Sequence, residues 1–227
     1  MPATADLLIE LQTAELPALD LPTLATAWRN NLVAQLHEAQ LNFATAIPYY
    51  TPRRLSLLVT GLPCTQAAQT TIKKGPPLNI AIDHNGNPTA AGLGFAKVCG
   101  VDFARLSIMT HDEGQWLQYQ IISPAQPTLD VLPELISKSL KALVLPKSMR
   151  WGNYEYSFIR PVQQIIAIFG NTLIKVKLYG IDSGNSTAGH RYYHPDALII
   201  DEPQNYLKLL HQYGRVIADP ELRRTTI

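Results

Sequence analysis

The chain has few residues that could staple a fold from outside its core. Only two cysteines, Cys64 and Cys99, occur among 227 residues. Two thiols cannot build a disulfide framework, and no Cys-x-x-Cys pair offers zinc or redox spacing. No apolar run approaches the roughly 18–20 residues needed to span a bilayer; Ile165–Phe169 is apolar but short and closes at Gly170-Asn171. The N-terminus lacks the basic segment and long apolar core of a secretory signal. Charged residues are scarce at 16%, yet hydrophobic residues reach 46%, which excludes compositional disorder. A soluble cytoplasmic protein without membrane attachment is the plain expectation, with room for one large domain or two small ones.

The common chemical motifs fail as well. Gly92-Leu93-Gly94 lacks the third glycine of a dinucleotide loop, and no Gly-x4-Gly-Lys-Ser/Thr phosphate loop exists. Asp83-His84-Asn85-Gly86-Asn87 begins like a calcium loop, but Pro88 and Gly94 stand where Gly and Glu are needed. His190-x3-His194 has zinc-like spacing, yet such ligands need a helix, and Tyr192-Tyr193 and Pro195 favour an extended segment. Gly184-x-Ser186 lacks the remainder of a nucleophile elbow. No catalytic residue and no metal ligand is assigned. This is the profile of a binding or scaffold region.

What is present is an uneven distribution of charge. The net charge of +1 resolves into −4 over residues 1–50, +4 over 51–100, −3 over 101–140, +5 over 141–191 and −1 over 192–227. Two basic segments brought together by folding would make a positive face suited to a polyanion; bases paired locally or solvated would not.

Helix and strand signals alternate along the chain. Leu7–Leu11 reads as a strand, and Leu24, Ala27, Trp28, Leu32 and Leu36 recur at helical spacing over about 21–41. Leu55–Val59 reads as a strand, and Pro63–Pro77 as a Thr-, Gln- and Pro-rich loop before Ile80–Ile82 and a turn at Asn85-Gly86. Thr89 is placed to cap a helix that ends at Gly100. Leu106–Met109 and Trp116–Ile122 form a predicted hairpin around Asp112-Glu113-Gly114, and Val162–Phe169 with Thr172–Tyr179 a second one. Further helices are predicted over Leu129–Leu143, ahead of Pro146, and over Pro203–Gln212. The pattern predicts an α+β fold, a mixed, largely antiparallel sheet packed with helices, in which 1–227 forms one unit with a single main core.

Compact strings of unusual chemistry stand out. Pro52-Arg53-Arg54-Leu55 sets two guanidinium groups at a strand entrance, and Lys73-Lys74-Gly75-Pro76 offers two ammonium groups in the predicted loop. Lys147-Ser148-Met149-Arg150-Trp151-Gly152 puts bases beside an indole, with Phe158-Ile159-Arg160-Pro161-Val162 close behind, and Gly189-His190-Arg191-Tyr192-Tyr193 mixes a base with aromatic rings. Bases interleaved with rings suit phosphates and unstacked nucleobases. The candidate RNA-binding residues are therefore Arg53, Arg54, Lys73, Lys74, Lys147, Arg150, Arg160, His190 and Arg191. Trp151 and Phe158 fit better as core anchors, Arg54 and Lys74 as surface groups.

These strings, together with Leu8-Ile9-Glu10-Leu11-Gln12-Thr13-Ala14-Glu15-Leu16-Pro17 and Gly214-Arg215-Val216-Ile217-Ala218-Asp219, resemble bacterial glycyl-tRNA synthetase β subunits in order and approximate spacing across essentially the whole chain. Gln12, Ala14 and Lys74 depart from that family's usual Gly, acid and Arg; a lysine at 74 cannot form a bidentate fork. The resemblance implies an N-terminal, B3/B4-like α+β region of a longer β chain, truncated before a following helical domain. It implies an α2β2 ligase that uses ATP and Mg to join glycine to tRNA. The catalytic core lies in the α subunit, so this region alone is inactive and holds no cofactor. Two rival classes are a stand-alone RNA-binding module and a small-molecule enzyme with a pocket around His190, Arg191 and Arg160.

Overall fold

The computed structural model describes residues 3–83, 86–111, 114–145, 147–153 and 155–227. Two compact units are present, Met1–Gln66 with Gln126–Ile227, and Ala67–Ala125. The first unit opens with β1 (Thr4–Thr13), α1 (Leu21–Glu38), β2 (Thr45–Thr51), β3 (Arg54–Pro63) and β4 (Thr65–Gln66). The second contains β5 (Gln69–Pro77), α2 (Leu78–Ala81), α3 (Ala90–Cys99), β6 (Ser107–His111) and β7 (Gly114–Ser123). The chain re-enters the first unit through β8 (Gln126–Pro127), α4 (Thr128–Lys141), β9 (Met149–Arg150), β10 (Ser157–Phe158) and β11 (Val162–Phe169). It continues with β12 (Thr172–Leu173), β13 (Lys177–Leu178), β14 (Ile181–Asp182), β15 (Ser186–Ala188), β16 (Ala197–Ile199), α5 (Tyr206–Gln212) and α6 (Pro220–Thr226).

The first unit is built on an antiparallel sheet of order β12-β11-β1-β3-β2. Its central strand β1 is buried on both sides, which explains why it reads as a continuous apolar run rather than an alternating one. Period-two alternation then divides the side chains between two cores. Leu7, Ile9 and Leu11 join Leu55, Leu57, Val59, Ile165 and Ala167 against α1 and α4. Leu8 joins Ile166, Ile168, Leu198, Tyr206 and Leu210 on the opposite face. Helix α1 buries Leu21, Leu24, Trp28, Leu32 and Leu36, the stripe its spacing predicts. Trp28 Nε1 donates to Ser139 Oγ at 3.2 Å, so the indole crosses to α4 with its polar atom satisfied.

The second unit is a three-stranded antiparallel sheet, β5-β7-β6, with α2 and α3. Here the expected loop over 63–77 is largely strand. The β-branched run Thr70-Thr71-Ile72 pairs with Ile122, Ile121 and Gln120 of β7, and the register breaks only between Lys74 and Pro77, where prolines cannot donate. Lys73 and Lys74 thus project from a strand. Thr89 Oγ1 accepts from Gly92 N at 3.4 Å and Gly100 adopts φ 70°, the two ends predicted for α3. The expected turn at Asn85 and the residues Asp112, Glu113 and Pro146 lie wholly or partly outside the described residues.

A single main core over 1–227 is the sequence expectation; contacts group the residues into two units, with no glycine-rich linker at the boundary. The segments on either side of the second unit pair with each other inside the first. β4 pairs with β8, Gln126 Nε2 donates to Gln66 Oε1 at 2.8 Å, and Thr128 Oγ1 donates to Pro63 O at 2.6 Å. The second predicted hairpin is also shorter than expected: β12 ends at Leu173, and Lys177–Leu178 pairs with Ile181–Asp182. Last, α6 follows Asp219, whose carboxylate caps it by accepting from Glu221 N and Leu222 N.

Phe158 is fully buried and Trp151 packs against the first core, as anchors should. Both rings meet Tyr179, at 5.3 and 6.2 Å between centroids. Burial pushes the Tyr179 hydroxyl up to about 12 from 10.0. The folded state therefore keeps this group neutral at a pH where the unfolded chain ionises it. Its stability contribution is intact below pH 10 and is lost as pH rises towards 12. We expect the wild-type protein to lose about 2 kcal/mol between pH 10 and 12 from this residue, measured by urea denaturation. Tyr179→Phe should flatten that part of the decline.

Candidate functional site

The site begins with one acidic residue inside an apolar strand. In Leu7-Leu8-Ile9-Glu10-Leu11, alternation points Glu10 to the same sheet face as Leu8, opposite Ser56 on β3 and Ile166 on β11. Glu10 is completely buried, and a carboxylate there needs partners. Thr187 Oγ1 donates to Oε1 at 2.5 Å, the Tyr206 hydroxyl donates to Oε2, and Arg54 Nη1 lies 3.8 Å from Oε2. The Tyr206 hydroxyl also sits 3.0 Å from Ser56 Oγ. Burial first, and then the neighbouring Glu10 charge, hold Tyr206 well above the ordinary phenol range. It is a permanent hydrogen-bond donor.

Arg54 completes the pair from the first residue of β3. It is only 2% exposed, so it belongs to the interior and not to the surface position its sequence context suggests. Its Nη2 donates to Ala188 O at 2.6 Å, which draws β15 over the end of the sheet. Its Nε and Nη1 are buried without a hydrogen bond.

Backbone contacts bring the remaining strings to the same place. Thr13 N donates to Arg53 O at 2.9 Å, Leu16 N to Pro52 O at 2.6 Å and Ala14 N to Pro161 O at 3.0 Å. Arg160 Nε donates to Glu15 O at 3.3 Å. His190 N donates to Gly214 O at 2.7 Å. That approach requires two glycines: a Cβ on Gly189 would lie 2.8 Å from Gly214 O, and one on Gly214 2.8 Å from Leu210 O. The Gly-His-Arg and Gly-Arg-Val strings are thereby laid against each other.

The result is a cleft of about 450 Å³ in the first unit, walled by the 51–54 turn, the 189–192 segment and residues 215–217. Arg53, Arg54, Arg191, Arg215 and Arg223 line it, against the single carboxylate of Glu15. Arg223 is committed to structure, since its Nη1 donates to Tyr50 O and Ile217 O at 2.9 and 2.8 Å and so docks α6 on β2. Arg53 has one long contact, Nη2 to Gln163 Oε1 at 3.4 Å. His190 Nδ1 accepts from the backbone of Tyr192 and Tyr193 at 3.2 and 3.3 Å, which leaves Nε2 to carry the proton of the neutral ring. Arg191 lies over the Tyr192 ring at 4.6 Å. The arrangement supplies fixed positive charge and hydrogen-bond donors; it has no nucleophile–base pair.

Of the predicted residues, Arg53, Arg54, His190 and Arg191 meet in this cleft, and Arg160 joins the adjacent Glu15 backbone. Lys147, ahead of β9, and Arg150, within it, are exposed and do not line the cleft. Lys73 and Lys74 belong to the second unit, where Lys74 Nζ sits 4.0 Å above the Trp116 ring. Sequence reasoning missed Glu10, Arg215 and Arg223. A charge at the centre of an apolar run was the available signal for Glu10. Arg215 and Arg223 sit in a segment of net −1 that hides them.

Removing one partner of a buried pair leaves the other charge uncompensated. Glu10→Ala is expected to cost about 3–5 kcal/mol in chemical denaturation. Glu10→Gln combined with Arg54→Met should cost less than Glu10→Ala alone, because no bare charge remains. A loss below about 1 kcal/mol for Glu10→Ala would show that the carboxylate is solvated instead.

The family model described as glycyl-tRNA synthetase beta subunit matches residues 7–227. A glycine–tRNA ligase beta subunit of Marinobacter nauticus is 39% identical over 225 residues, covering 99% of this chain and 32% of the relative. The corresponding protein of Coxiella burnetii is 39% identical over 224 residues, with 99% and 32% covered. That of Hahella chejuensis is 40% identical over 222 residues, with 98% and 32% covered. This chain thus spans about a third of the length of the curated relatives it matches. Its recognisable strings, most of them gathered around one buried ion pair, are those of a single lineage: the chain belongs to the glycyl-tRNA synthetase beta subunit family.

Proposed function

We propose that this chain serves the ATP-dependent ligation of glycine to tRNA as the N-terminal region of a β subunit, contributing tRNA contact and scaffold rather than chemistry. In this reading it works in the cytoplasm with a glycyl-tRNA synthetase α subunit in an α2β2 assembly. The α subunit supplies the catalytic core together with the ATP and Mg sites. Among the described residues no helix is long and apolar enough to cross a membrane.

The observation that carries the tRNA contact is the cationic cleft. Arg53, Arg191 and Arg215 line it, with no side-chain bond to a backbone carbonyl among the described residues, and guanidinium groups suit phosphate oxygens. Arg160, Lys147 and Arg150 are exposed cations of the same unit, Arg54 is paired with Glu10 inside it, and Lys73 and Lys74 are a second set. Phosphate contacts position a nucleic acid without reading its sequence.

Arg53→Gln in the assembled α/β enzyme should therefore weaken tRNA binding without changing which tRNA is chosen. The slope of log affinity against log salt should become shallower by about 0.7–0.9 for each phosphate that is no longer neutralised. Unchanged affinity and slope in a folded variant would reduce this region to a scaffold.

A further inference from the structure

We infer that the cleft is a built pocket for one phosphate group carried on a nucleoside, and not merely part of a positive surface. This deepens the tRNA-contact reading and rests on it only for the source of that phosphate.

Three features distinguish a pocket from a basic patch. The first is size. A volume of about 450 Å³ falls in the range of small-ligand sites and accommodates one nucleotide. The second is a rigidly held cation beneath the floor. Arg54, 2% exposed and lining the cleft, is fixed by Glu10 Oε2 at 3.8 Å and by its bond to Ala188 O at 2.6 Å. Its position is set by the protein and not by a ligand. The third is strain. Arg215 holds a left-handed backbone with φ 56°, a conformation that costs a side-chain-bearing residue energy. Arg215 also lines the cleft. Strain retained at a charged residue of the cleft is consistent with a binding position.

The chemistry of the walls selects the ligand. Arginine forks match a phosphate's several acceptor oxygens, and His190, whose Nδ1 already accepts, adds an Nε2 donor at the same wall. At the mouth, Tyr192 is largely exposed with Arg191 over its ring, a flat ledge on which a nucleobase can lie. A lone carboxylate, such as a peptide terminus, would leave most of these donors empty.

The test is calorimetric titration of the protein with AMP, inorganic phosphate, adenosine and acetate. AMP should bind, phosphate more weakly, and adenosine and acetate at least about tenfold more weakly than AMP. Arg53→Gln and Arg215→Gly should each weaken AMP by about tenfold or more, while Arg105→Gln in the second unit leaves it unchanged. Arg215→Gly has a further signature: glycine relieves the left-handed backbone, so the variant should melt no lower than wild type while losing AMP. A short single-stranded RNA that displaces AMP identifies an RNA phosphate as the source. One that fails to displace it leaves the pocket to a free nucleotide and sinks only the tRNA-contact reading. Absence of AMP binding, equal binding of acetate, or wild-type affinity in both cleft variants overturns the pocket.

Discussion

The buried contact between Glu10 and Arg54 is the constraint on which the rest of the first unit depends. A carboxylate on the central strand cannot be left unpaired in an interior where every neighbour along the strand is buried. Its partners come from far away in sequence: Arg54 from the start of β3, Thr187 from β15 and Tyr206 from α5. One desolvated charge thus dictates where three later segments must lie. Such pairs add little net stability compared with an apolar replacement, because desolvation offsets attraction. What this one supplies is position.

That position sets the polarity of the second sheet face. Leu8, Leu58 and Ile168 occupy one end of it, Glu10 the middle, and Gln12, Arg54 and Gln164 the other end. Segments crossing the apolar end become core. Those crossing the polar end, held by the Arg54 bond to Ala188 O and the close passage of Gly189 and Gly214, wall a cleft instead. The arginines of the cleft are therefore a consequence of how the sheet face runs out of hydrophobic residues.

The features legible in the sequence are the locally determined ones. The α1 stripe, the Thr89 cap with Gly100, and the turn at Gly170-Asn171 follow from short-range periodicity and backbone preference. The strings around 8–17, 52–55, 158–162 and 189–191 are recognisable as a set, and their convergence gives that set a physical meaning. What escapes a sequence reading depends on partners distant in the chain. β5 reads as loop because its Thr-, Lys- and Pro-rich segment has no hydrophobic alternation, and only β7 makes it a strand. Arg54 looks like a surface base because nothing local announces Glu10 beside it. The second unit is invisible in the sequence because no flexible, glycine-rich tether marks its boundaries at Gln66 and Gln126.

The central claim is that the Glu10 carboxylate holds the Gly189–Arg191 wall in place. Amide hydrogen exchange in Glu10→Gln against wild type tests it most directly, with the His190 N–H bonded to Gly214 O as reporter. The account predicts exchange at His190 at least about tenfold faster in the variant, with the β5 amides of the second unit unchanged. Equal protection of His190 in a folded variant would contradict it.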